Sequence, residues 1–174
     1  MKTPDEIMFS GAVRAEQTRR GSREAQARRS AKRIASALSA DAIAFIAQRR
    51  SAYLATASVE GQPYVQHRGG PVGFLRVLDD HTVAFADYAG NRQYISVGNL
   101  TENALAFLFL MDYAEGRRLK LWGRACVVED PQLLARMTDT ACEELPERAV
   151  VFTLTAWDWN CSKYIPRLVP APDR

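Results

Sequence analysis

Polar and apolar positions along the chain follow two periods. Up to residue 50 the spacing suits helices; from residue 51 it suits strands. Residues 12–35 predict a weakly amphipathic helix broken at Gly21. The segment "DAIAFIAQRR" (41–50) predicts a better one, with Ile43, Ile46 and Ala47 on one face and Asp41 as its N-cap. Strands are then predicted at 51–59, 64–68, 72–78 and 82–87. Turn residues separate them: Glu60-Gly61-Gln62-Pro63, Gly69-Gly70-Pro71 and Asp79-Asp80-His81. A helix over 92–100 follows. The unbroken apolar run 104–112 predicts a strand buried on both faces, and 117–129 a long strand bent or bulged at Gly123. A helix at 130–145 has Asp130 as N-cap and Pro131 at its first position, a last strand covers 149–157, and the tail is irregular. Closely spaced strands, joined mostly as hairpins, predict a mainly β (α+β) fold. The expected form is an antiparallel barrel with flanking helices, since a parallel sheet needs a helix between every pair of strands.

Length and composition narrow this picture. At 174 residues and 47% hydrophobic content, the chain is long and apolar enough for one domain with a real core. Its charge is uneven. Residues 1–50 carry 11 Lys and Arg against 5 Asp and Glu, whereas residues 51–174 carry 12 against 15. We therefore divide the chain into a basic helical segment, 1–40, and a domain, 41–174. The basic run Arg14–Arg33 has no interleaved aromatic and no finger or helix-turn-helix signature, so it reads as a solvated helix face rather than a nucleic-acid site. Cys126, Cys142 and Cys161 are odd in number and form no CxxC pair, which argues against a disulfide framework or zinc ribbon. The first residues lack a signal-peptide apolar region and no run reaches the ~20 residues of a membrane span, so a soluble cytoplasmic protein is expected.

Four segments carry candidate chemistry. In "FADYAGNRQYISVGNL" (85–100) a strand hands over to a helix through Gly90, Asn91, Arg92 and Gln93. A helix N-terminus with an arginine in its first turn suits a phosphate, although Asn91 as an ordinary N-cap explains the residues equally simply. In "QHRGGP" (66–71), Gly69 and Gly70 let a backbone approach a flat ligand; Arg68 suits phosphate, and His67 suits proton transfer. The plain alternative is a polar turn facing water. The only other histidine is His81, and no Cys or Asp cluster has ligand spacing with either, so no metal site is expected. In "GRRLKLWG" (116–123), Arg118 and Lys120 alternate with Leu119 and Leu121, as a phosphate-lining strand or a solvated one would. Trp157 and Trp159 share a strand face that suits a planar cofactor, and equally core or dimer packing.

Taken together, residues 45–165 resemble the flavin-binding split-barrel proteins related to pyridoxamine 5′-phosphate oxidase. The order of elements and the motifs above carry the resemblance. It implies a six-stranded antiparallel split β-barrel, a homodimer, and FMN bound between the subunits. The oxidases grip the FMN phosphate with a Ser-Arg-Lys at the strand–turn–helix. Asn91, Arg92 and Gln93 stand there, so one positive charge is missing. Arg76 falls where the preceding strand of the oxidases supplies a lysine, Arg68 is the candidate for its arginine, and Arg118 matches a glutamine position. Gly69, Gly70, Phe74 and Leu75 would line the isoalloxazine, with Trp157 a further contact. The oxidases' C-terminal Arg–His substrate segment has no counterpart. The function implied is electron or hydride transfer between FMN and a small-molecule substrate, with His67 as proton donor or substrate ligand. The alternatives are a non-catalytic flavin-binding protein, or a barrel holding haem, deazaflavin or pyridoxal phosphate.

Overall fold

The computed structural model describes residues 3–137, 145–159 and 163–168. Seven strands form one antiparallel sheet in the order β2-β1-β5-β6-β7-β4-β3. They are β1 (Ser51–Ala57), β2 (Pro63–Gly69), β3 (Arg76–Asp79), β4 (Thr82–Asp87), β5 (Leu105–Asp112), β6 (Arg117–Val128) and β7 (Arg148–Trp159). The split barrel expected with six strands thus has seven. Short β3 hydrogen-bonds β4 at one edge of the sheet. It begins four residues later than the predicted 72–78, because Gly73 turns the chain at φ +89° and the Phe74 N–H donates to the Pro71 carbonyl at 3.0 Å.

Helices flank the sheet. Short α1 (Pro4–Met8) lies outside the sequence expectation; Thr3 and Glu6 form a capping box at its start. The predicted break at Gly21 is real. It separates α2 (Gly11–Arg19) from α3 (Arg23–Arg33), with Gly21 at φ +69°. The helix over α4 (Ala40–Ala47) is capped by Ser39, whose hydroxyl accepts from the Ala42 N–H, and not by Asp41. Asp41 sits in the first turn and pairs with Arg117 at 2.8 Å. α5 (Ile95–Glu102) joins β4 to β5, and α6 (Pro131–Met137) precedes β7. Asp130 caps α6 as expected, accepting from the Leu133 N–H at 2.8 Å. The later part of the helix predicted to 145, with Cys142, lies outside the described residues, as does Cys161.

The core sits inside the curled sheet. Strict alternation sends Ala52, Leu54 and Thr56 of β1 inward, and α4 closes one end with Ala42, Phe45 and Ile46. Leu108, Leu110, Leu119, Leu121, Val150 and Phe152 fill the middle, each at most 1% exposed. The run 104–112 is not buried on both faces. Ala106, Leu108 and Leu110 point inward, while Phe107 and Phe109 lie only half-buried on the outer face. The sheet curls far enough that β2, at one edge, reaches β4 near the other: Arg68 pairs with Asp87 at 2.5 Å.

Candidate functional site

The curl leaves a cleft of about 340 Å³ where β2, the end of β4 and the start of α5 converge. Gln66 and Arg68 enter from β2, Asp87 from β4, and Ser96 and Val97 from α5; the turn 88–94 closes the remaining side. That turn differs from the sequence expectation. The helix does not begin near Asn91. Gly90 (φ +50°), Arg92 (φ +56°) and Tyr94 (φ +52°) all adopt left-handed backbone, and α5 starts only at Ile95. Asn91 Oδ1 accepts from the Gln93 N–H at 3.3 Å, a local turn contact rather than a helix cap. Left-handed backbone at two non-glycine residues is strained, and strain of this kind gathers where ligands are gripped.

A polar network fixes the cleft floor. Arg68 donates through Nη1 to Asp87 Oδ1 at 2.5 Å and through Nη2 to Gln66 Oε1 at 2.9 Å. The Ser96 hydroxyl donates to the same Gln66 oxygen at 2.8 Å. Arg148, the register partner of Asp87 on β7, brings Nε to 3.9 Å from Asp87 Oδ2. Its guanidinium lies 4.9 Å from the centre of the Tyr94 ring and also pairs with Glu147. Asp87 is 5% exposed. The Nε–H groups of both Arg68 and Arg148 are buried without a hydrogen-bond partner. Buried donors of this kind cost free energy unless something accepts from them.

Of the residues singled out in the sequence, Arg68, Gly90, Asn91, Arg92 and Gln93 line this cleft. The others do not. His67 follows the strand alternation and points to the opposite face of β2, against the Tyr53 ring at 5.6 Å. Gly69 and Gly70 leave room for their own neighbours. A Cβ on Gly69 would meet the His67 ring at 2.9 Å, and one on Gly70 would meet Phe74 Cβ at 2.6 Å. Leu75 is a core residue at 2% exposure, with Phe74 packed against that core. Arg76 is exposed on β3, and Arg118 lies on β6 opposite Met111. Trp157 is core as well: it is 6% exposed, packs on Trp159, and donates its indole N–H to the Ala37 carbonyl at 2.7 Å. Arg148, Asp87, Gln66 and Ser96 escaped the sequence reading. The one visible signal was Asp87, an acid closing an otherwise apolar inward strand. His81 was set aside as a ligand, yet the turn brings ligand atoms of Asp79, Asp80 and His81 within 4.8 Å of one another. All three are exposed, and His81 Nδ1 already contacts Asp80 at 2.6 Å.

A second concavity, of about 380 Å³, lies on the outer face of β1, β2 and β5. Tyr53, Ala55, Val65, Phe107, Phe109 and Tyr113 line it. Burial, with the Tyr53 hydroxyl beside it, pushes the Tyr113 phenol above its ordinary pKa. Among the described residues no helix is long and apolar enough to cross a membrane.

A curled antiparallel sheet with a polar cleft at the strand–turn–helix is the architecture of a split-barrel protein. A family model described as Pyridoxamine 5′-phosphate oxidase matches residues 38–165, and the chain belongs to that family. Solved structures with the same fold include HupZ from Group A Streptococcus, 13% identical, with a TM-score of 0.58 over 69% of this chain and 92% of that one. The General Stress Protein 26 of Bacillus anthracis is 14% identical, with a TM-score of 0.51 over 67% of this chain and 89% of that one. No curated protein matches the chain in sequence.

Proposed function

We propose that the chain is a homodimeric FMN-binding oxidoreductase, with the FMN phosphate held in the cleft beside the 88–94 turn. The observation that carries this reading is the Arg68 guanidinium, whose Nε–H has no hydrogen-bond partner, in a cleft also lined by Arg92. A phosphate monoester brings about two negative charges and three acceptor oxygens, which fits unfilled guanidinium donors. Gln66 and Ser96 hold Arg68 in place, the strained turn presents Arg92, and Asn91 and Gln93 add neutral polar groups at the rim. FMN would supply the redox chemistry, carrying electrons or hydride to and from a small substrate. The protein would bind, orient and shield it, so the lack of histidine or cysteine among the described cleft residues is no obstacle.

The visible spectrum of the purified protein, and titrations with FMN and riboflavin, test the reading. Arg92→Ala is expected to weaken FMN binding about tenfold, the worth of one charge-assisted contact, while riboflavin binding stays put. Bleaching of the bound flavin by a reduced nicotinamide would mark an enzyme rather than a flavin carrier. Wild-type protein that takes up neither flavin would sink the proposal.

The homodimer draws support from the outer aromatic face. Val65 and Leu105 are each 59% or more exposed there, beside the half-buried Phe107 and Phe109. A contiguous apolar surface of this kind marks an association site. Phe109→Glu is expected to convert a dimer to a monomer in light scattering, because a charge directed into an apolar interface lacks a partner. A Phe109→Glu variant that stays dimeric would place the interface elsewhere.

A further inference from the structure

Asp87 is at odds with an anion site. It is the last residue of β4, on the inward-facing side of the strand, and its side chain is 6% exposed. A carboxylate this buried must be paired. Its partners are two guanidiniums: that of Arg68, which lines the cleft, at 2.5 Å, and that of Arg148 on β7, at 3.9 Å. Asp87 and Gln66 already engage both terminal nitrogens of Arg68, which leaves Nε unbonded. An arginine meets phosphate best through two parallel N–H groups. Arg68 therefore cannot offer its end-on fork to a ligand while Asp87 holds Nη1.

We propose that Asp87 is the internal counter-anion of the phosphate site and determines its charge selectivity. In the free protein it neutralises Arg68 and Arg148. In the bound protein it competes with the ligand phosphate for Arg68, and so limits the affinity that the phosphate adds. This inference rests on the FMN reading for its ligand, but its chemistry is that of any phosphate monoester. Asp87 touches the binding arginines rather than the reacting atoms, so it is a specificity-determining residue.

The measurement is the ratio of the riboflavin to the FMN dissociation constant at fixed low ionic strength, which isolates the phosphate. Asp87→Asn removes the charge and keeps the shape. The ratio is expected to rise roughly tenfold or more, because the like charge that holds Arg68 Nη1 is removed. Riboflavin binding should change little. Asp87→Ser, smaller, neutral and still able to accept from Arg68, is the second variant should the first fold poorly, and it should move the ratio in the same direction. Inorganic phosphate gives a readout that needs no flavin. Ligand-free Asp87→Asn should melt below the wild type, and phosphate should raise its Tm more than it raises that of the wild type. A ratio that stays constant or falls, with equal protection by phosphate, would overturn the inference and leave Asp87 a structural ion-pair partner. Wild-type protein that binds neither flavin, while phosphate still protects the variant more, would sink the FMN reading and leave this one standing.

Discussion

Gly123→Ala is expected to destabilise the protein by about 3 kcal/mol or more, the upper range for overpacking a core. Gly123 lies in the middle of β6, paired with Leu154, where the β6–β7 register slips by one residue. The slip presses β7 against it. A Cβ there would stand 2.2 Å from the Thr153 carbonyl oxygen and 2.7 Å from the Phe152 ring. Neither can yield cheaply. The first is backbone in a central strand, and the second belongs to a side chain that is 0% exposed at the heart of the core. For a chain of this size the loss corresponds to a fall in Tm of roughly 6–12 °C. Gly98→Ala, on an open helical face with nothing within 4 Å, is the matched control and should be neutral or slightly stabilising. Urea unfolding that placed Gly123→Ala within about 1 kcal/mol of the wild type would show that β6 and β7 do not approach this closely.

Gly123 also shows what the sequence can say. A glycine inside a long strand pointed to a bulge or bend, because it weakens a strand and supplies no side chain to pack. Most strands were legible because apolar segments are punctuated by turn residues, and period-two alternation survives in Ser51–Ala57. The ends of elements were not. Asn91 has the chemistry of an N-cap, but left-handed Arg92 and Tyr94 carry the turn on for three more residues, and nothing in those side chains announces it. Ser39 and Asp41 both cap helices well, and two residues of register separate the right choice from the wrong one.

The candidate cleft was legible only in its local half. The 88–94 turn and Arg68 were found because their residue types suit an anion. Arg148 was invisible, since only the β4–β7 pairing sets it beside Asp87. His67 was grouped with Arg68 because they are adjacent. Adjacency on a strand sends side chains to opposite faces, and the structure puts His67 with Tyr53 instead. Trp157 illustrates a different ambiguity. A tryptophan with a bonded N–H serves a core as well as a cofactor, and the acceptor that decides it, the Ala37 carbonyl, lies 120 residues away.

Arg68→Leu should cost stability and phosphate affinity together, and the two losses can be separated. Removing the guanidinium strips Asp87 of its short ion pair and leaves only Arg148, at 3.9 Å. Breaking a buried pair from one side typically costs about 3–5 kcal/mol, because the remaining charge is uncompensated. The lower end is expected here, since Arg148 compensates in part. The same change removes a charged donor from the cleft, so FMN should lose about tenfold or more relative to riboflavin. The double variant Arg68→Leu/Asp87→Asn divides these effects. With the Asp87 charge gone and Arg148 still paired with Glu147, most of the lost stability should return, whereas the Arg68 donor to phosphate remains absent. Urea unfolding of the four proteins in the cycle gives the coupling free energy directly, and flavin titration of the same four gives its counterpart for the phosphate. A double variant no more stable than Arg68→Leu would show that Asp87 does not depend on Arg68, and the cleft would then owe its charge balance to Arg148 alone.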